Sequence, residues 1–393
     1  MQPESYTQLR KRYGVEQNPT QPHAPLMKKY YFGIVAVTYT CNARCDMCYS
    51  WKNPTKKADQ ITPEDLMKLP DVPVYNVTGG EAFVRPDIQD LLAVLDKKCD
   101  RIVVSSNGAY TDKIVDTVKK FPKVGIRVSL EGLQKANDEI RGIPDGFDTG
   151  LRTILALAEM GHKDIGFGMT ISHKNYKDLG ALHELAERME VEFATASLHN
   201  SFYFHKMDNQ VDNLPEVIAE VKKLIKSQLK SKRPKDWYRA YFNFGLANYM
   251  MGKPRVLPCE MGFSAFYVDP YGNVRPCNVM DEKIGNIKTQ SWDDIWHSEA
   301  ATAMRNKVLS CKESCWMTGS VFQMMKKYIG TPTRFIADHK FLGKDLDETF
   351  AQFGPPPEKT QHGQEIHFHK YDFKRPESDD ERLRRARRGS KTG

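Results

Sequence analysis

No apolar run in this chain of 393 residues reaches the length that a membrane-crossing helix needs. The opening Met1-Gln-Pro-Glu-Ser-Tyr6 lacks the basic-then-apolar order of a secretory signal. No repeat with a period of roughly 20–50 residues is visible, so a solenoid is excluded. Cysteine is sparse, eight in all, and clustered rather than spread. Clustered thiols without a secretory signal argue for metal ligation over disulfides, and for a reducing compartment. The cytoplasm is the expected location, with no membrane span and with sensitivity to oxygen.

Charge of neither sign dominates. The net charge is +8, and residues 374–393 supply half of the excess, with eight Lys or Arg against four Asp or Glu. The basic run at 382–388 reads as a solvated tail, so a nucleic-acid partner is not expected. Residues 354–357, Gly followed by three Pro, read as a linker, and 358–393 as a charged segment too poor in apolar residues to fold. His362, His367 and His369 lie in that tail and are not expected to be ligands.

The cysteines carry the chemistry. Cys41-Asn-Ala-Arg-Cys45-Asp-Met-Cys48 places three thiols at C-x3-C-x2-C spacing. Three thiolates on so short a loop can hold three corners of a cubane iron–sulfur cluster and leave one iron open to a substrate or cosubstrate. Thr78-Gly79-Gly80-Glu81 follows the strand-like residues 74–77. Its glycines permit a close backbone approach, and its carboxylate can accept from an ammonium group. Residues 102–106 read as a strand running into the Asn107-Gly108 turn, and 124–130 as another, ending in Ser129-Leu130-Glu131-Gly132. Asn137-Asp-Glu-Ile-Arg141-Gly142 supplies a guanidinium suited to a carboxylate.

Spacing and order together resemble the radical S-adenosylmethionine (SAM) superfamily. The resemblance implies a partial (β/α)6 TIM-like barrel, an α/β fold open on one side. It implies that Cys41, Cys45 and Cys48 hold a [4Fe–4S] cluster whose open iron is chelated by SAM. It also implies that Gly79, Gly80 and Glu81 hold the SAM amino group, Ser106, Asn107 and Ser129 the ribose and methionyl parts, and Arg141 the carboxylate. Tyr49 occupies the aromatic position beside the adenine. Reductive cleavage of SAM then yields a 5′-deoxyadenosyl radical that abstracts a hydrogen atom.

A second set, Cys259, Cys277, Cys311 and Cys315, has the spacing C-x12-G-x4-C followed by C-x3-C. Residues 266–274 read as a hairpin around Asp269-Pro270-Tyr271-Gly272, which brings Cys259 near Cys277. This resembles the SPASM and twitch extensions. A full SPASM domain implies seven or more cysteines; four imply one fully ligated auxiliary [4Fe–4S] cluster, suited to carrying an electron. A four-cysteine zinc site needs the same ligands and stays open. Cys99 has no partner at suitable spacing and reads as a core cysteine.

The expected organisation is an N-terminal extension at 1–29, the barrel at 30–198, a connecting segment at 199–256, the auxiliary-cluster region at 257–320, a helical segment at 321–353 and the tail at 354–393. Helical spacing marks 87–97, 111–120, 147–160, 177–189 and 214–229, and residues 165–171 read as a strand. Aromatics at 199–205 and 237–244 suit either a substrate pocket or junction packing. The expected activity is an oxidoreductase of the radical SAM class, oxidising the substrate radical through the auxiliary cluster. A small, carbohydrate-like or peptide substrate and an electron donor such as flavodoxin or ferredoxin are the expected partners. Maturation of a ribosomally made peptide is the alternative, weakened by the short stretch of about 30 residues ahead of the first strand. Cofactor or polysaccharide assembly is another, and a non-catalytic electron carrier is the non-enzyme reading.

Overall fold

The computed structural model describes residues 32–359 except 310, 312 and 357. The extension at 1–29 and the tail beyond residue 359 lie outside the described residues.

Six parallel strands follow one another: β1 (Phe32–Ala36), β2 (Val72–Thr78), β3 (Cys99–Ser106), β4 (Val124–Ser129), β5 (Ile165–Ile171) and β6 (Glu192–Ser197). Each pairs in parallel with its sequence neighbour, the two joined by a crossover on the face of the sheet. The crossovers are α1 (Pro63–Met67), α2 (Ile88–Asp96), α3 (Thr111–Lys120), α4 (Gln134–Arg141), α5 (Gly146–Glu159) and α6 (Leu179–Arg188). Thr62 and Asp65 cap the start of α1 reciprocally, with Pro63 in the first turn. Gly142, at φ 59°, ends α4 in a left-handed turn.

Strand periodicity divides the sheet. Val35, Val77, Val104, Val128 and Phe167 are fully buried in the main apolar core. The alternate positions Ile34, Asn76, Val103, Ser105, Ser129, Gly168, Ala194 and Ala196 line the inside of the sheet. These inner residues are mostly small or polar. The interior is therefore a hollow, not the bulky filling of a complete barrel.

The chain continues through α7 (Leu214–Lys230) and α8 (Pro234–Met250) to β7 (Ala265–Val268), β8 (Asn273–Arg275) and β9 (Gly285–Asn286). The motifs predict an appended hairpin beside an open barrel. In the structure β7 pairs parallel to β1, so core and extension share one nine-stranded sheet of order β6-β5-β4-β3-β2-β1-β7-β8-β9. Five α-helices, with a π-helical turn at Ala337–Phe341 before the last, complete the described chain: α9 (Trp292–Trp296), α10 (Glu299–Leu309), α11 (Thr318–Lys327), α12 (Gly330–Ile336) and α13 (Leu346–Ala351). No described helix is long and apolar enough to cross a membrane.

Candidate active site

The three-cysteine loop follows β1 at the C-terminal end of the sheet, where parallel sheets place their ligands. It is braced from two sides. Arg44 N donates to Arg141 O and Asp46 N to Ile140 O, both 3.0 Å, so the last turn of α4 underlies the loop. From the other side Tyr49 N donates to Phe204 O (2.7 Å), and Asn209 Nδ2 donates to Met47 O (3.0 Å). Burial pushes the Cys41 thiol up to about 12 and the Cys45 thiol up to about 11, and raises Cys48 as well. Buried thiols of this kind ionise only when a cation compensates them. The donor set therefore fits an iron–sulfur group.

Gly79 and Gly80 serve the backbone itself. A Cβ on Gly80 would stand 2.4 Å from Thr40 O and 2.5 Å from Tyr39 O, and one on Gly79, at φ 152°, 2.3 Å from Thr38 O. Gly80 N donates to Thr38 O (2.7 Å) and Glu81 N to Thr40 O (3.0 Å), tying this turn to the lead-in of the cysteine loop. Glu81 is buried, and its carboxylate accepts from Phe83 N (3.1 Å), Ser106 Oγ (2.9 Å) and Asn107 N (2.7 Å). Sequence analysis assigns that carboxylate to an ammonium group; its partners here are the turns after β2 and β3. Ser106 Oγ likewise faces Glu81, and it is Ser105 and Ser129 that line the hollow. Asn107 Nδ2 donates to Asn42 Oδ1 (2.7 Å), joining the turn after β3 to the cysteine loop.

Arg141 donates from Nη1 to Glu131 Oε1 (2.9 Å), and Glu131 Oε2 accepts from Thr170 N (2.6 Å). Arg141 Nε is buried and has no partner. An unpartnered guanidinium N–H beside the cysteine loop fits an anionic end of a ligand such as the SAM carboxylate. Tyr49 lies under two cations: Lys52 Nζ is 3.8 Å and Lys206 Nζ 4.3 Å from its ring centre, and Lys206 also reaches the hydroxyl at 3.1 Å.

Sequence reasoning misses Tyr203. Its hydroxyl donates to Gly79 O (2.7 Å) and lies 2.9 Å from Thr78 Oγ1, and its ring packs against Tyr39 and Tyr267. Only the density of aromatics at 199–205 signals it. Of the second aromatic stretch, Tyr241, Phe242 and Phe244 pack against Trp316, Phe322 and Phe335, while Tyr238 and Arg239 face the hollow. Packing thus takes most of these residues, and the pocket takes a few.

The structure brings Cys259, Cys277, Cys311 and Cys315 to one wall of the hollow. Cys277 Sγ accepts from Val279 N (3.4 Å) and Met280 N (3.3 Å), and burial pushes its thiol up to about 12. Trp316, after the last cysteine, is buried against α8 with its indole N–H on Phe242 O (2.8 Å). Among the described residues no three His, Cys, Asp or Glu side chains close on one point as a single ion requires. Four thiols are the donor set of a [4Fe–4S] cluster and of a zinc site alike, so the set fits a cluster by its chemistry. Cys99 is in the core, its thiol on Leu95 O (3.1 Å).

The hollow has a volume of about 770 Å³, within the range of small-molecule sites. Thr78, Ser129, Glu131, Thr170 and Tyr203 line its upper end, and the four later cysteines line its flank.

Residues 35–186 match the radical SAM superfamily and residues 259–317 the SPASM iron–sulfur cluster-binding domain. The chain is 30% identical over 191 residues to an Fe-coproporphyrin III synthase of Methanosarcina barkeri, covering 46% of this chain and 47% of that one. It thus spans about half the length of that relative. It is 22% identical over 290 residues to the sporulation killing factor maturation protein SkfB of Bacillus subtilis, covering 70% and 67%. Among solved structures, native anSMEcpe with bound AdoMet and Cp18Cys peptide superposes with a TM-score of 0.55 at 13% identity, covering 80% of this chain and 99% of that one. That likeness is one of fold.

Proposed function

This chain belongs to the radical SAM superfamily and carries a SPASM iron–sulfur domain, and we propose that it oxidises a C–H bond of a substrate seated in the hollow. The single observation that carries this reading is that one cavity is lined both by Glu131, the ion-pair partner of Arg141, with Ser129 and Thr170, and by Cys259, Cys277, Cys311 and Cys315. In the proposal, Cys41, Cys45 and Cys48 hold the SAM-binding [4Fe–4S] cluster, and the four later cysteines hold the auxiliary one. When bound, the first cluster and SAM supply a 5′-deoxyadenosyl radical able to take a hydrogen atom, and the second supplies an acceptor for the remaining electron.

The chain's own residues bind and orient. Arg141, charge-balanced by Glu131, presents its free Nε to the SAM carboxylate. Glu81 and Ser106 act as positioning residues, fixing the turns after β2 and β3 so that Gly79, Gly80 and Asn107 can face SAM. Ser129 lines the cavity where the methionyl and ribose parts would lie, and Tyr49 covers the adenine. Tyr203 holds Gly79 O and walls the SAM end from the β7 side. An external one-electron donor such as flavodoxin or ferredoxin, and a reducing compartment such as the cytoplasm, complete the proposal.

A peptide-maturing role is the second reading. It is favoured by the likeness to a maturation protein and by a fold neighbour solved with a peptide. The test is anaerobic reconstitution with SAM and dithionite. Formation of 5′-deoxyadenosine by wild type but not by Cys45→Ala supports the radical reading. Turnover of an added substrate with two electrons removed, lost in Cys277→Ala while 5′-deoxyadenosine persists, supports oxidation through the auxiliary site. A cross-linked peptide product would favour the second reading.

A further inference from the structure

At the end of the hollow away from the cysteine loop, the N-terminal halves of the strands contribute an ionic cluster. Arg101 on β3, Arg127 on β4, Asp164 just before β5 and Glu192 at the start of β6 meet Lys235 and Arg239 from the first turns of α8. Asp164 accepts from Arg101 (2.6 Å) and Arg127 (2.8 Å). Glu192 accepts from Arg127 (2.9 Å), Arg239 (3.1 Å) and Lys235. Four cations share two carboxylates. The next acidic group, Asp236, is held by Ser231 (2.5 Å) and Arg233 (2.8 Å).

Arg127 and Arg239 keep only 11% and 12% of their side-chain surface exposed. Arg239 lies over the Phe322 ring, 4.7 Å from its centre, and its Nη1 is buried without a hydrogen-bond partner. The first turn of α8 adds the positive end of a helix dipole to the same place. Arg101 and Lys235 are 42% and 63% exposed, so what is costly to leave without an anion is the buried, unused donor of Arg239 beside them.

Arg101, Arg127, Glu192, Lys235 and Arg239 all line the same hollow as Cys259, Cys277, Cys311 and Cys315. Between the ionic end and the SAM end Phe32, Ile34, Val74, Val103 and Met169 give the wall an apolar stretch, with Asn76 and Ser105 as its polar positions. At the usual strand rise the ionic end stands about 13 Å from Ser105 along β3, measured from Arg101, and about 7 Å from Ser129 along β4, measured from Arg127. We propose that the base of the hollow is an anion subsite, and that the substrate is an amphiphilic acid. Its carboxylate or phosphate would be held by Arg239 with Arg101 and Lys235, and its apolar body would lead about 7–13 Å to the reacting carbon. This rests on the reading of the hollow as the substrate cavity.

The test uses the full chain, anaerobically reconstituted, with octanoate, monooctyl phosphate and uncharged octanol as probes in calorimetric titrations. Both acids should bind wild type at least tenfold more tightly than octanol, and whichever binds more tightly identifies the substrate's acidic group. Arg239→Met should weaken the acids at least tenfold, with Arg239→Lys intermediate and octanol unaffected. Because Glu192 keeps Arg127 and Lys235, the melting temperature of ligand-free Arg239→Met should equal or exceed that of wild type. Acids binding no better than octanol, equal acid affinity in wild type and Arg239→Met, or a lowered melting temperature of that variant would each assign the cluster a structural role instead. The binding readout does not depend on SAM cleavage. Anion binding without 5′-deoxyadenosine formation would therefore overturn the proposed reaction and leave the subsite standing.

Discussion

Glu131 and Arg141 meet at 2.9 Å in a buried setting beside the cysteine loop, and the guanidinium keeps one N–H in reserve. Lysine at this position preserves the charge that Glu131 needs but gives up the fork. Loss of one charge-assisted hydrogen bond is worth about 1.5–3 kcal/mol. Arg141→Lys should therefore weaken SAM binding by roughly ten- to hundredfold, with a much smaller change in melting temperature. Equilibrium dialysis on the reconstituted protein measures it, and unchanged affinity would remove Arg141 from the SAM site. His205 supports a second prediction. Burial, then the charge of Arg275, lowers its imidazole to about 4, and its ring stands edge-on to Tyr39. An unfolded chain takes up that proton near pH ~6.5. Between these values the unfolded state binds more protons, so stability falls as the pH drops from ~6.5 toward 4. His205 sits at φ 52°, a backbone that asparagine tolerates. His205→Asn should therefore fold and show a shallower loss of melting temperature between pH 7 and 5; an unchanged slope would contradict the account.

The turn after β2 holds the first thiol set by close backbone approach, and α8 holds the second by seating the Trp316 ring on Gly245, which makes glycine substitutions selective. Gly80→Ala drives a methyl into Thr40 O and Tyr39 O. It should displace the Cys41–Cys48 loop, remove about four irons per chain and abolish 5′-deoxyadenosine formation. Gly245→Ala places a Cβ 2.1 Å from the Trp316 ring. It should disturb the Cys311–Cys315 segment and spare the first site. Iron content and 5′-deoxyadenosine, read together, separate the two; identical losses in both variants would mean that the sites are not independently held. These elements differ in how far the sequence exposes them. The strands at 102–106, 124–130 and 165–171 are legible because β-branched residues alternate and end in turn residues. The first strand ends at Ala36, and beyond it Thr38 and Thr40 turn their carbonyls to the Gly80 turn. No local pattern announces that contact, which joins residues some forty positions apart.

Across the whole molecule, what sequence alone conveys is the order of motifs, and what it withholds is register. The cysteine spacings, the Gly79-Gly80-Glu81 turn and Arg141 are visible because each is local. The pairing of β7 with β1 is not, and it is this pairing that joins the extension to the core sheet and brings the second thiol set to the wall of the same cavity. The ionic base is hidden for the same reason. Arg127 meets Asp164 and Glu192 only because β4, β5 and β6 are neighbours in the sheet. The central claim is that two cysteine sets serve one cavity with divided roles. Its most direct test compares wild type with Cys41/Cys45/Cys48→Ala and with Cys277/Cys315→Ala after anaerobic reconstitution, measuring iron and 5′-deoxyadenosine per chain. The account predicts about eight irons in wild type and about four in each variant. The nucleoside should be absent from the first variant and retained in the second. Nucleoside formed by the first variant, or zinc in place of iron at the second site, would contradict it.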